Sequence, residues 1–195
     1  MKAVRRPRRT GCRVLLWLLL ALPWGVAASF LVLRTLTDWS PPGEMSAVVQ
    51  LGLAFILGLM AIRSAFNMSI AGRQSISWKA LLPLGLLWLG LSLSSIPHAV
   101  VEPHDDDSTR CFTFLLVVST PMMVLMIATL RRTRALYPVR SLAMAGLGVA
   151  CMAVSLLAFC HPVHLHAMDF VMHLAAIAVI VTLTVLLGKR WVKLG

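Results

Sequence analysis

The chain has 195 residues, of which 59% are hydrophobic and 13% charged, with a formal net charge of +11 and a mean hydropathy of +0.86. Soluble domains carry about a quarter charged residues, so there is too little charge here to coat a soluble globule. The apolar residues stand in long blocks, not in the alternating or helical-period patterns of half-buried elements.

Crossing a bilayer takes roughly 20 apolar residues per helix. Backbone polar groups in lipid must bond within their own segment, so such blocks are read as helices. Six blocks qualify. The first, Val14–Leu33, contains Pro23 and follows a basic start. With Val26-Ala27-Ala28 it resembles a signal peptide, but its apolar stretch is long for one, and it is read as a membrane anchor. Its loss would leave five spans and the later topology unchanged. The second block, Met45–Ile62, places Ala54 and Gly58 four apart. The third, Ala80–Ile96, is the shortest; it is free of charge and carries Pro83 and Trp88.

The fourth block is Phe112–Leu130, with Cys111 at its threshold and Ser119-Thr120-Pro121 inside it. Proline removes one backbone hydrogen bond, and the two hydroxyls are placed to bond freed carbonyls. The fifth, Ser141–Phe159, holds Cys151 and the pair Gly146/Ala150. The sixth, about Met168–Leu187, has Asp169 and His173 near its start, so its first turn is interfacial. Small residues four apart let helices approach closely, here within one bundle rather than between two copies. The expected fold is all-α, a polytopic membrane bundle of six transmembrane helices (residues 14–187). A short basic segment, 1–13, precedes it and a basic tail, 188–195, follows.

Lys and Arg in short loops mark the cytoplasmic side. With six spans, 16 of the 18 basic residues fall on one side and only Arg34 and Arg110 on the other. All seven acidic residues (Asp38, Glu44, Glu102, Asp105, Asp106, Asp107 and Asp169) fall with those two. Adding or removing one span would scramble this division. Both termini are therefore expected in the cytoplasm. The positive charge is explained by topology and anionic lipid, with no direct nucleic-acid partner. No charged residue sits in the middle of a block, which argues against an ion-coupled transporter.

All six histidines (His98, His104, His161, His164, His166 and His173) fall in the predicted outer half, as do Cys111 and Cys160. Thiolate and imidazole suit soft or borderline metal ions. Cys111, Cys160, His161, His164, His166, Asp169 and His173 form the candidate metal set. His161, His164 and His166 would share an ion if their loop curls, though the spacing matches no established zinc signature; the alternative is a polar loop facing water and headgroups. Cys111 and Cys160 lie at the same membrane level, and in an oxidising compartment they are also disulfide candidates. Cys12 is cytoplasmic and Cys151 mid-span, where each is a small apolar filler. Cys-x-x-Cys, His-Glu-x-x-His and phosphate-loop motifs are absent. An enzyme is not expected, and no cofactor is implied beyond the candidate metal ion.

Several short stretches resemble the NrsF-type negative regulators of extracytoplasmic-function sigma factors, which are six-helix bacterial inner-membrane anti-sigma factors. They are Cys111 opening the fourth block, Ser119-Thr120-Pro121, the basic Leu130-Arg131-Arg132 with Pro138, Phe159-Cys160-His161-Pro162, His173, and Gly188-Lys189-Arg190-Trp191. The likeness covers most of residues 13–195. It departs where Cys precedes His at 160 and 161, where His164 stands in place of a common acidic residue, and where Met172 replaces tryptophan. The family tends to carry a longer N-terminal segment ending in a Pro-Val-Arg-Pro-like stretch, which Ala3-Val4-Arg5-Arg6-Pro7 resembles. The expectation is an upstream start or a shortened segment.

The resemblance implies a multi-pass protein of the bacterial inner membrane. It would hold an extracytoplasmic-function sigma factor and release it on an external metal or redox signal. Cys111 and Cys160 are the expected sensor thiols. Arg131, Arg132, Arg134 and Arg140 are the expected partner-binding residues, together with the N-terminal segment. Two rivals are a metal-binding protein or carrier with its ligands on the outer face, and a membrane thiol oxidoreductase. The first lacks mid-membrane polar groups and the second lacks a paired-cysteine motif.

Overall fold

The computed structural model describes residues 10–32, 45–70, 76, 78–96, 107–131, 137–157 and 167–193; at 31–32, 45–47, 107–110, 167, 169 and 192–193 it describes the backbone alone. These residues form six helices and no strand: α1 (Thr10–Val32), α2 (Met45–Met68), α3 (Trp78–Ser95), α4 (Asp107–Arg131), α5 (Pro138–Leu157) and α6 (Ala167–Lys193). All six are long and apolar enough to cross a membrane.

The helices overrun several of the apolar blocks that predict them. α1 starts at Thr10, four residues before its block, and α6 runs on to Lys193 through the basic tail. α2 continues past Ile62 to Met68, taking in Arg63 and Asn67. Hydrophobicity marks only the part of a helix that must lie in lipid. The backbone ladder extends further, because a helix end in the headgroup region still satisfies its own amides.

α2 runs antiparallel to both α3 and α5, and α6 runs antiparallel to α5. Ser141, near the start of α5, donates its hydroxyl to the Ala65 carbonyl near the end of α2 at 2.9 Å. Buried Gln50, early in α2, donates from Nε2 to the Leu91 carbonyl (3.2 Å) and the Ser95 hydroxyl (2.7 Å), late in α3. Gly188 at the far end of α6 rests against Leu142 at the base of α5. The starts of α1, α3 and α5 therefore share one end of the bundle with the finishes of α2, α4 and α6. This is called the terminal end below, and the other the distal end.

α5 is the axis of the bundle. It packs on α2, α6 and α4 and touches α1, and 61% of its span is buried, against 6% for α3. Its sequence makes this placement: Ala145, Gly146, Gly148, Ala150 and Ala153 present almost no side chain, so three neighbours can press onto one thin helix. A Cβ on Gly146 would stand 2.8 Å from the Cα of Val181 in α6. One on Gly148 would stand 3.1 Å from both the Gly58 carbonyl oxygen and the Ile62 nitrogen of α2. The small-residue pairs expected to allow close approach do so inside one bundle.

Around α5 the core is filled by Trp17, Ile62, Phe66, Phe114, Leu115, Met122, Met126, Met152 and Ile180, all buried. The outward faces are also apolar, with Leu15, Leu19, Trp24, Leu86, Val171 and Leu186 exposed. Apolar surface of this extent is a liability in water and the natural covering in a bilayer.

Pro121 removes the amide that would serve the Val117 carbonyl. The Ser119 and Thr120 hydroxyls do not go there; both donate to the Leu116 carbonyl, at 3.1 and 2.7 Å. A helical hydroxyl reaches the carbonyl three or four residues back. Leu116 is the one carbonyl that satisfies that spacing for both.

Candidate functional site

The distal end holds the predicted Cys/His chemistry. α4 and α6 both begin there and pack against each other in the same direction. Cys111 is buried early in α4 and His173 in the second turn of α6. The packing thus brings one predicted sensor thiol and one predicted imidazole ligand to the same end of adjacent helices. Cys160, His161, His164 and His166 lie outside the described residues, as does the Asp169 side chain. Among the described residues no three His, Cys, Asp or Glu side chains gather closely enough to hold a metal ion.

The terminal end is basic. Every charged residue whose side chain is described is a cation at this end: Arg13, Arg63, Lys79, Arg131, Arg140, Lys189 and Arg190. Arg131 and Arg140 are exposed and bracket the 132–136 connection; Arg132 and Arg134 themselves fall outside the described residues. The connection is pinned where α5 begins. The Ser141 amide donates to the Tyr137 carbonyl at 3.0 Å, and the Ser141 hydroxyl ties α5 to α2. The Leu142–Gly188 contact sets Lys189 and Arg190 at the level of Arg140.

Three features, two at this end and one at the distal end, were not singled out from sequence. Arg13 lies with its guanidinium carbon 4.6 Å from the Phe66 ring centroid, a cation–π contact. Its Nη1 also reaches the Ser69 hydroxyl at 3.5 Å, and Ser69 donates to the Phe66 carbonyl at 2.7 Å. The base of α1, from which residues 1–9 continue, is therefore fastened to the finish of α2. No sequence signal joins two positions so far apart. The second feature is Gln50, a polar residue inside a span. The third is the set of exposed aromatics Trp78, Tyr137 and Trp191 at the ends of α3, α5 and α6. Those were legible, because Trp and Tyr gather where spans meet the headgroups.

α4 joins the two ends. It carries Cys111 at its distal start and Arg131 at its terminal finish, and it packs on α1, α5 and α6. The model of the family described as NrsF, negative regulator of sigma F, matches residues 1–193. The chain belongs to that family. No curated protein and no solved structure matches it. Family membership assigns negative regulation of a sigma factor, carried here on six helices long and apolar enough to cross a membrane. The sequence resemblance to NrsF-type regulators is thereby upheld over almost the whole chain.

Proposed function

We propose that the chain is a membrane-embedded anti-sigma factor that holds an extracytoplasmic-function sigma factor at the bacterial inner membrane. The terminal end faces the cytoplasm and binds the partner. The distal end faces outward and receives a metal or thiol-redox signal. The family match over residues 1–193 carries this reading. The gathering of described cations at one end supports the orientation, since basic residues mark the cytoplasmic side.

Release requires two arrangements of the bundle with different affinity for the sigma factor. The input is Cys111 with Cys160, and His161 second. Metal binding would displace the thiol protons. Alternatively, oxidation of the two thiols to a disulfide would pass two electrons and two protons to a thiol oxidant. Either event changes the distal contacts of α4, and α4 ends at Arg131. The output surface is the N-terminal segment with Arg131, Arg132, Arg134 and Arg140.

The test is capture of the sigma factor encoded nearest to this protein by the tagged full chain in membranes. Capture is expected, and Cys111→Ser should retain it while abolishing release by the signal. Failure of the unaltered chain to capture the sigma factor would overturn the anti-sigma reading. Capture with normal release in Cys111→Ser and Cys160→Ser would overturn only the sensor assignment.

A further inference from the structure

A crevice of about 170 Å³ opens on the side of the bundle between α2, α3, α5 and α6. Its floor is Ala54, Leu57 and Cys151, all buried, and its rim includes half-exposed Trp88 and Ile177 and exposed Leu174. Apolar atoms alone line it. We propose that this crevice is a lipid site that takes a stretch of one acyl chain from the surrounding membrane.

Depth and chemistry together choose this occupant. Cys151 lies six residues inside the distal end of α5, about 9 Å along the helix. The hydrocarbon half-thickness is about 15 Å, so the crevice opens into acyl chains and not into headgroups or water. Apolar cavities of about 150 Å³ stay dry and accept a benzene-sized guest. With no polar atom to hold a water molecule and lipid at its mouth, the crevice is filled from the side.

The way α3 is attached keeps the site open. α3 packs on α2 but is hardly buried. The Gln50 clamp to Leu91 and Ser95 holds its distal half beside α2. Trp88 stands one turn from Leu91, so the clamp fixes the crevice's outer wall without closing it. This inference does not depend on the sigma-factor reading.

The experiment reconstitutes the full chain in vesicles containing a phospholipid with a photoactivatable diazirine part-way along one acyl chain. Adducts are mapped by mass spectrometry of peptides. Labelling is expected at floor and rim positions such as Leu57, Trp88 and Cys151, as well as on outward residues such as Leu19 and Leu186. Ala54→Phe should fill the floor and abolish crevice adducts while leaving the outward ones. Val154→Phe fills the same space from α5 and serves if Ala54→Phe does not insert. Adducts confined to outward faces in the unaltered chain would overturn the proposal, as would crevice adducts that persist in a filled variant. Chain-to-chain crosslinking through Cys151 would overturn it in favour of a second copy.

Discussion

Gly146→Ala tests the claim that α5 is held by backbone-level contact. The added Cβ would lie 2.8 Å from the Val181 Cα and 3.1 Å from both Cβ and Oγ1 of Thr184. Carbon atoms in contact prefer about 3.5–4.0 Å, so α6 must retreat by at least ~0.7 Å. A Cα cannot rotate away as a side-chain tip can. Overpacking of this kind costs about 1–3 kcal/mol. The helix-propensity gain from replacing Gly returns at most about 1 kcal/mol. A net loss of about 1–2 kcal/mol is expected. Gly90 is the control, because nothing lies within 4 Å of its would-be Cβ. Gly90→Ala should be neutral or stabilising by up to ~1 kcal/mol. The assay is reversible unfolding by denaturing detergent from mixed micelles, followed by far-ultraviolet circular dichroism. Equal stability of Gly146→Ala and Gly90→Ala would refute the packing argument.

Four further outcomes follow from particular side chains. Gln50→Ala should free α3 from α2 at a cost of about 0.6–1.7 kcal/mol, the range for interhelical bonds in lipid; faster proteolysis in the 97–106 connection would report it. Ser141→Ala removes a buried tie between α5 and α2 and should cost about 1 kcal/mol. Ser64→Ala should cost nothing in the same unfolding assay, because the buried Ser64 hydroxyl has no hydrogen-bond partner among the described residues. Arg13→Lys keeps the charge but weakens the planar stacking on Phe66, at a cost of about 0.5–1 kcal/mol. Faster amide exchange at the base of α1 would reveal it, and unchanged exchange would remove Arg13 as the fastening.

The helices were legible because lipid imposes one strong rule, that each span be long, apolar and internally bonded. Their ends were not, because polar stretches such as Lys189–Lys193 prolong a helix without a hydropathy signal. The central place of α5 was half-legible: Gly146 and Ala150 announced close packing, but not that α2 and α6 would be the helices pressed onto it. The distal chemistry was legible as residue types. Its geometry is described only for Cys111 and His173, and Cys160, His161, His164 and His166 lie outside the described residues. The Arg13–Phe66 contact had no sequence signature at all, since cation–π pairing depends on where two distant helix ends meet.

The arrangement also predicts how a distal signal would reach the N-terminal segment. α4 carries Cys111 and leans on α1, from whose base residues 1–9 continue. One point of that contact is Gly25, whose would-be Cβ lies 3.1 Å from Met122 Sδ of α4 and also 3.0 Å from Leu156 Cδ1 of α5. Both are ends of flexible side chains, so Gly25→Ala should fold with a loss below about 1 kcal/mol. It nevertheless presses α1 against α4 and α5 without touching Cys111 or the basic connection. If coupling runs through this contact, Gly25→Ala should shift the signal concentration for half-maximal sigma release. Sites coupled by about 1–3 kcal/mol leave ample range for the shift to be seen. Stability and capture should stay unchanged. An unaltered dose response, with stability confirmed, would remove the Gly25 contact, with α4 and α5 alike, from the route.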